Sequence, residues 1–141
     1  WDNDREAVLA EDAAREKEKA EARAEQRRQR EEYLSRITLN DLRDYKFFAE
    51  WTRYTPIKAR IASRKIMAET VERLIALGSG ASETQRLTAL RDCIESFNVL
   101  DAKMEFIETE EREDICEEFQ VIASACGLGP KARLADEWRK W

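Results

Sequence analysis

From Ala10 to Glu32 the only uncharged residues are Ala and Gln, and no other stretch limits the fold as strongly. Ala, Glu, Lys, Arg and Gln are all strong helix formers, residues 2–36 contain no Gly or Pro, and Glu11→Arg15 has the favourable i,i+4 order of charges. The pattern predicts a helix and withholds a partner for it. Heptad spacing from Ala10 runs through Ala13, Lys17, Ala20, Ala24, Arg27, Glu31 and Leu34, a stripe too thin for a stable seam. Residues 1–37 are therefore expected to form a charged helical arm or spacer, anchored by Val8 and Leu9 at one end and Tyr33, Leu34 and Ile37 at the other. Its second use would be a weak coiled coil, and with it a weak homo-oligomer.

The core then falls to residues 38–141, expected to form a compact bundle of about five helices, so the fold class is all-α. Four Gly and two Pro are too few for an all-β chain, where turns recur every 8–12 residues. Thr38-x-x-Asp41 predicts a first bundle helix to about Tyr54. Thr55-Pro56 opens the next, which runs to Leu77 and stops at Gly78-Ser79-Gly80. Ser82-x-x-Gln85 is a capping box for a helix carrying Leu87, Leu90, Ile94 and Phe97 to about Phe106. Thr109 caps a helix with Ile115, Phe119, Ile122 and Cys126, ending at Gly127. Gly129-Pro130 opens a last short helix with Leu134, Trp138 and Trp141 on one face. On the 56–77 helix, Ile57, Ile61, Ala68, Val71 and Ile75 form one apolar stripe, and Ala59, Ser63, Ile66, Met67, Leu74 and Leu77 another. A helix apolar on two sides reads as a buried central element.

The chain has no histidine, which removes the commonest general base and metal ligand. Its three cysteines, at 93, 116 and 126, lack the even count of a disulfide framework. They read as reduced thiols of a cytoplasmic protein. There is no apolar run long enough to span a bilayer. The chain opens at Trp1 rather than Met, and is read as a piece of a longer protein.

Charge is unevenly spread. Residues 38–77 carry net +3 and residues 78–129 net −8. Eight carboxylates and one base, Arg112, lie from Glu105 to Glu118, whereas five bases and no acid lie between Trp51 and Ala68. Two opposed patches point to internal pairing or to an electrostatic partner surface. Projected along their helices, Asp101, Glu108 and Glu111 point inward, making them weak candidates for a divalent-metal site. Arg64 interrupts an apolar stripe, and a charge there needs a partner. The expected partners are Glu108 or Glu111, in a structural ion pair. No catalytic or cofactor-binding residue is assigned, and no cofactor is expected.

Asp92-Cys93-Ile94-Glu95 and Glu111-Arg112-Glu113-Asp114 resemble the paired Glu-x-x-Glu and Glu-x-x-Asp helices of the all-helical nucleotide pyrophosphohydrolases of the MazG type. The resemblance covers two tetrapeptides and departs from the family pattern at Asp92. It implies a magnesium-dependent hydrolase on a helical bundle, a carboxylate-metal alternative to the leading reading. That leading reading is a non-enzymatic protein–protein interaction or scaffolding domain with an acidic face, of which an immunity or antitoxin protein is one concrete form. The partner is another protein. Direct nucleic-acid binding is not expected of a chain with pI ≈ 5.1 and no phosphate-cradling Gly loop. The aromatic run Tyr45, Phe47, Phe48, Trp51 and Tyr54 is expected to pack in the core.

Overall fold

The computed structural model describes residues 2–51 and 54–141; Arg53, one of the five bases noted above, lies outside them. Among these residues there are five α-helices and no strand, an all-α architecture. The chain divides into two units, Trp1–Ser35 and Arg36–Trp141. No helix among the described residues is long and apolar enough to cross a membrane.

The first unit is the greater part of one helix, α1 (Asp2–Arg36). Uninterrupted helix formers account for its length, and local ion pairs decorate it: Arg15 lies 3.7 Å from Glu11 and 3.8 Å from Asp12, and Arg28 pairs with Glu25. Such exposed pairs contribute little stability each. Val8 and Leu9 are exposed.

The second unit is built on a helical hairpin, α2 (Ile57–Leu77) and α3 (Glu83–Met104). Gly78 allows the turn between them, its φ of 79° being a conformation that strains other residues. Ser82 and Gln85 form the expected capping box, Gln85 N donating to Ser82 Oγ at 3.1 Å and Ser82 N to Gln85 Oε1 at 2.8 Å. Next come α4 (Thr109–Ala125), a 3-10 turn (Gly129–Leu134) and the short α5 (Ala135–Trp138). The core joins Met67, Val71 and Leu74 of α2 to Leu90, Ile94 and Phe97 of α3 and Ile115, Phe119 and Ile122 of α4, all buried. After Trp138 the backbone extends, and Asn98 of α3 grips it. Its Nδ2 donates to Trp138 O at 2.9 Å, while its Oδ1 accepts from Lys140 N at 2.9 Å.

Two expectations are corrected. The helix expected over 38–54 is only a 3-10 turn at Asp41–Arg43, followed by an irregular segment that buries Phe47, Phe48 and Trp51. And α2 is buried along one face only. Ala59, Ser63, Met67 and Leu74 of the second stripe are enclosed, but Ile57, Ile61 and Ala68 of the first face solvent. The two corrections are linked: in place of a helix at 38–54, an irregular segment meets this stripe at Arg64 through the Phe47 and Phe48 carbonyls and leaves Ile57 and Ile61 exposed. A smaller difference is at α4, where the N-cap is Glu108 and not Thr109, with no side-chain cap.

Candidate functional site

The acidic run folds into two rows on and beside α4. Glu111, Asp114 and Glu118 follow i, i+3, i+7 spacing, so they share one flank of the helix beside Ile115 and Phe119. All three meet the aromatic segment. Thr55 Oγ1 donates to Glu111 Oε1 at 3.3 Å, Trp51 Nε1 to Asp114 Oδ2 at 2.8 Å, and Glu118 takes two donors, Tyr45 Oη at 3.2 Å and Phe48 N at 3.1 Å. Burial pushes the Glu118 carboxyl up from its ordinary value, the two hydrogen bonds oppose that rise, and the neighbouring carboxylates Asp114 and Glu117 add to it. This row clamps Tyr45, Phe48, Trp51 and Thr55.

Arg64 closes the same clamp from α2. Its Nε donates to Phe47 O at 3.0 Å and its Nη2 to Phe48 O at 3.3 Å. The expected ion pair of Arg64 with Glu108 or Glu111 is thereby corrected: the guanidinium sits on backbone carbonyls, and Glu111 sits on a threonine hydroxyl. Irregular backbone buried against a helix leaves carbonyls without ladder partners, and those carbonyls, unforeseen while 38–54 was read as a helix, are what satisfies the arginine.

The other inward candidate, Asp101, works at the end of α3. Its Oδ1 accepts from Phe106 N at 3.1 Å and Ile107 N at 2.9 Å, closing the reversal in which Glu105 takes a left-handed φ of 48°. Among the described residues, Asp101, Glu108 and Glu111 do not gather, and no group of three or more Cys, Asp or Glu is placed to hold a metal ion. The two tetrapeptides that resemble a magnesium site are likewise engaged elsewhere. Asp92 pairs with Arg73 at 2.6 Å, Glu95 accepts from Asn98 Nδ2 at 3.3 Å, and Glu111 and Asp114 hold the aromatic segment. Burial raises all three thiols above their ordinary value, Cys93 to about 12.

The second acidic row faces out. Glu105, Glu108 and Glu110 are exposed around a cleft of roughly 500 Å³ at the α3–α4 corner, whose floor and walls include Tyr54, Pro56, Met104, Phe106 and Glu111. No base lines it among the described residues. Tyr54 is 82% exposed and Met104 38%, so the corner combines carboxylates with accessible apolar surface. The sequence reading placed Asp114 only in the magnesium-like tetrapeptide and Glu118 only at the end of the acidic run, and gave neither an aromatic partner. The available signal was that Tyr45 and Trp51, once buried, need acceptors for their O–H and N–H, and that these acids flank the apolar face of α4. Comparison with protein-family models, with curated proteins and with solved structures finds no match to this chain.

Proposed function

We propose that this chain is a non-enzymatic protein–protein interaction domain whose acidic corner receives a basic, apolar segment of a protein partner. The observation supporting it is the composition of the α3–α4 cleft. Four carboxylates, Glu105, Glu108, Glu110 and Glu111, surround it beside Tyr54 and Met104. Opposed charges steer encounter and set specificity, an exposed aromatic ring gives an arginine or lysine a face to lie on, and a methionine adapts to varied apolar contacts. An immunity or antitoxin protein that covers a basic site on its target is one form of this reading. Three cysteines without a disulfide suit a cytoplasmic setting.

The test is binding of a fluorescent amphipathic Lys/Leu peptide, followed by anisotropy at low and high salt. Charge reversal at Glu105, Glu108 and Glu110 to Lys should weaken binding about ten-fold or more, about 1.4 kcal/mol. The control carries the same net charge change on α1, at Glu11, Glu16 and Glu18. Equal loss in both variants would reduce the effect to net charge and overturn the reading.

A further inference from the structure

Ile57 and Ile61 are 65% and 62% exposed at the start of α2. With Ala68 they lie within about 40° of one another around a helix of 3.6 residues per turn, well away from the buried line through Ala59, Ser63 and Met67. Large apolar side chains gathered in this way mark an interaction surface. Lys58, Arg64 and Lys65 are exposed on the same half of the helix, Arg64 committed to the Phe47 and Phe48 carbonyls and Lys65 3.8 Å from Glu69. No acid occurs from Trp51 to Ala68. Packing this face on its own copy would set Lys58 and Lys65 against their equivalents, so an acidic surface suits it better.

Such a surface begins where α2 begins. Pro56, the residue before Ile57, lines the cleft with Glu105, Glu108 and Glu110, and so does Tyr54. One continuous patch therefore carries a basic half and an acidic half on either side of exposed apolar side chains. A two-fold interface requires that residue i meet j and j meet i, and a patch of this kind meets the requirement when the axis passes near Tyr54 and Ile57. We propose that the patch pairs with a second copy of this chain, the Ile57–Ile61 face of each copy seated on the Glu105–Glu110 corner of the other. The inference rests on the reading that the acidic corner receives a basic apolar segment, and it names that segment as α2 of the second copy. Part of its attraction is charge, so it weakens as salt shortens the screening length.

Sedimentation of the full chain over about 1 to 300 µM, where mass action would reveal a weak dimer, gives the test. The parent should dimerise in low salt and dissociate at about 1 M salt, where the screening length is ~3 Å. Lys58→Glu with Lys65→Glu should be monomeric alone, as should Glu105→Lys with Glu108→Lys. An equimolar mixture of the two should restore a dimer containing one of each. If a charge variant loses its cooperative melt, Ile61→Ser supplies a neutral one, expected to weaken the dimer about ten-fold. A parent that stays monomeric while its corner still binds the Lys/Leu peptide overturns this inference and leaves the interaction reading intact. Loss of both overturns both. A dimer that survives every swap lies elsewhere on the chain and also overturns the inference.

Discussion

The segment from Thr38 to Thr55 and the helix that follows Ser82 start alike and end differently. Each opens on a reciprocal pair of side-chain bonds, although the N-cap of the Asp41–Arg43 turn itself is Asn40, whose side chain makes no cap bond. Thr38 N donates to Asp41 Oδ2 at 2.9 Å and Asp41 N to Thr38 Oγ1 at 3.3 Å, matching the Ser82–Gln85 pair bond for bond. After Ser82 the helix runs for 22 residues; after Asn40 there is a 3-10 turn of three. The difference lies in what comes next. Leu87, Leu90, Ile94 and Phe97 recur every three or four residues and share one helical face. Phe47 and Phe48 are adjacent, and both are buried. On a helix they would point about 100° apart, as the buried neighbours Cys93–Ile94 and Val121–Ile122 do on α3 and α4, but two aromatic rings need a wider face than those smaller pairs. The chain resolves this at Phe48, whose φ of 59° turns its ring to stack on Trp51, centroids 4.1 Å apart. A cap permits a helix to start, and apolar periodicity decides whether it continues.

A left-handed backbone costs an ordinary residue about 1–2 kcal/mol, so the irregular segment must be held from outside. The most severe way to break the comparison is at Glu118. Glu118→Leu leaves the Phe48 N–H and the Tyr45 hydroxyl without their acceptor, and an unsatisfied buried donor costs about 1–3 kcal/mol. Denaturant unfolding should show a loss of about 2–4 kcal/mol on adding release of the turn. Glu118→Gln keeps one acceptor and should lose less, with a pH dependence of definite sign. Burial raises the Glu118 carboxyl, so the folded protein holds this proton more tightly than the unfolded chain does. The contribution is fully present below the unfolded value and is lost as pH rises through the folded one. Relative to Glu118→Gln, the parent should therefore become less stable as pH rises from below the ordinary carboxylate value through the raised one. The opposite slope would mean that the hydrogen bonds to Phe48 and Tyr45 outweigh desolvation.

Arg64 is the second hold, with a smaller expected effect because its side chain is exposed. Arg64→Met removes two hydrogen bonds to carbonyls and should cost about 1–2 kcal/mol, less than the full value for buried charge-assisted bonds. A change under about 0.5 kcal/mol, the usual surface range, would show that the carboxylate clamp alone suffices. Arg64 also marks the limit of what the sequence could convey. Helices α1 to α4 were legible because each has its own periodicity, helix-forming run or cap. A partner for Arg64 was expected from its place in an apolar stripe, a reason that does not hold, because Ile57, Ile61 and Ala68 of that stripe face solvent. Which partner it has was not legible, because it is a backbone carbonyl of a segment whose path is set by contacts from α4 some 70 residues away in sequence. The candidate site was legible as an acidic run. Its division into a clamping row and an outward row required knowing where Tyr45, Trp51 and Thr55 would lie.

The finest contrast is between the two opening pairs. Ser82→Ala should cost about 1 kcal/mol, the usual value for an N-cap with a bonded side chain, because a long helix depends on the turn that it starts. Thr38→Ala removes an equivalent bond from a turn that propagates no further, and denaturant unfolding should register a smaller change. Its signature should be local, as faster amide exchange at Asp41 to Arg43 with the exchange of α3 untouched. The Thr38 hydrogen bonds also hold the Asp41 carboxyl below its ordinary value, so whatever the pair contributes is present above the unfolded value and fades as pH falls through the folded one, opposite in sign to Glu118. If Thr38→Ala destabilised as much as Ser82→Ala, the pair would be fixing the whole path from Thr38 to Thr55. The carboxylate row on α4 would then be reinforcing a conformation already chosen, and the hierarchy drawn from the two segments would reverse.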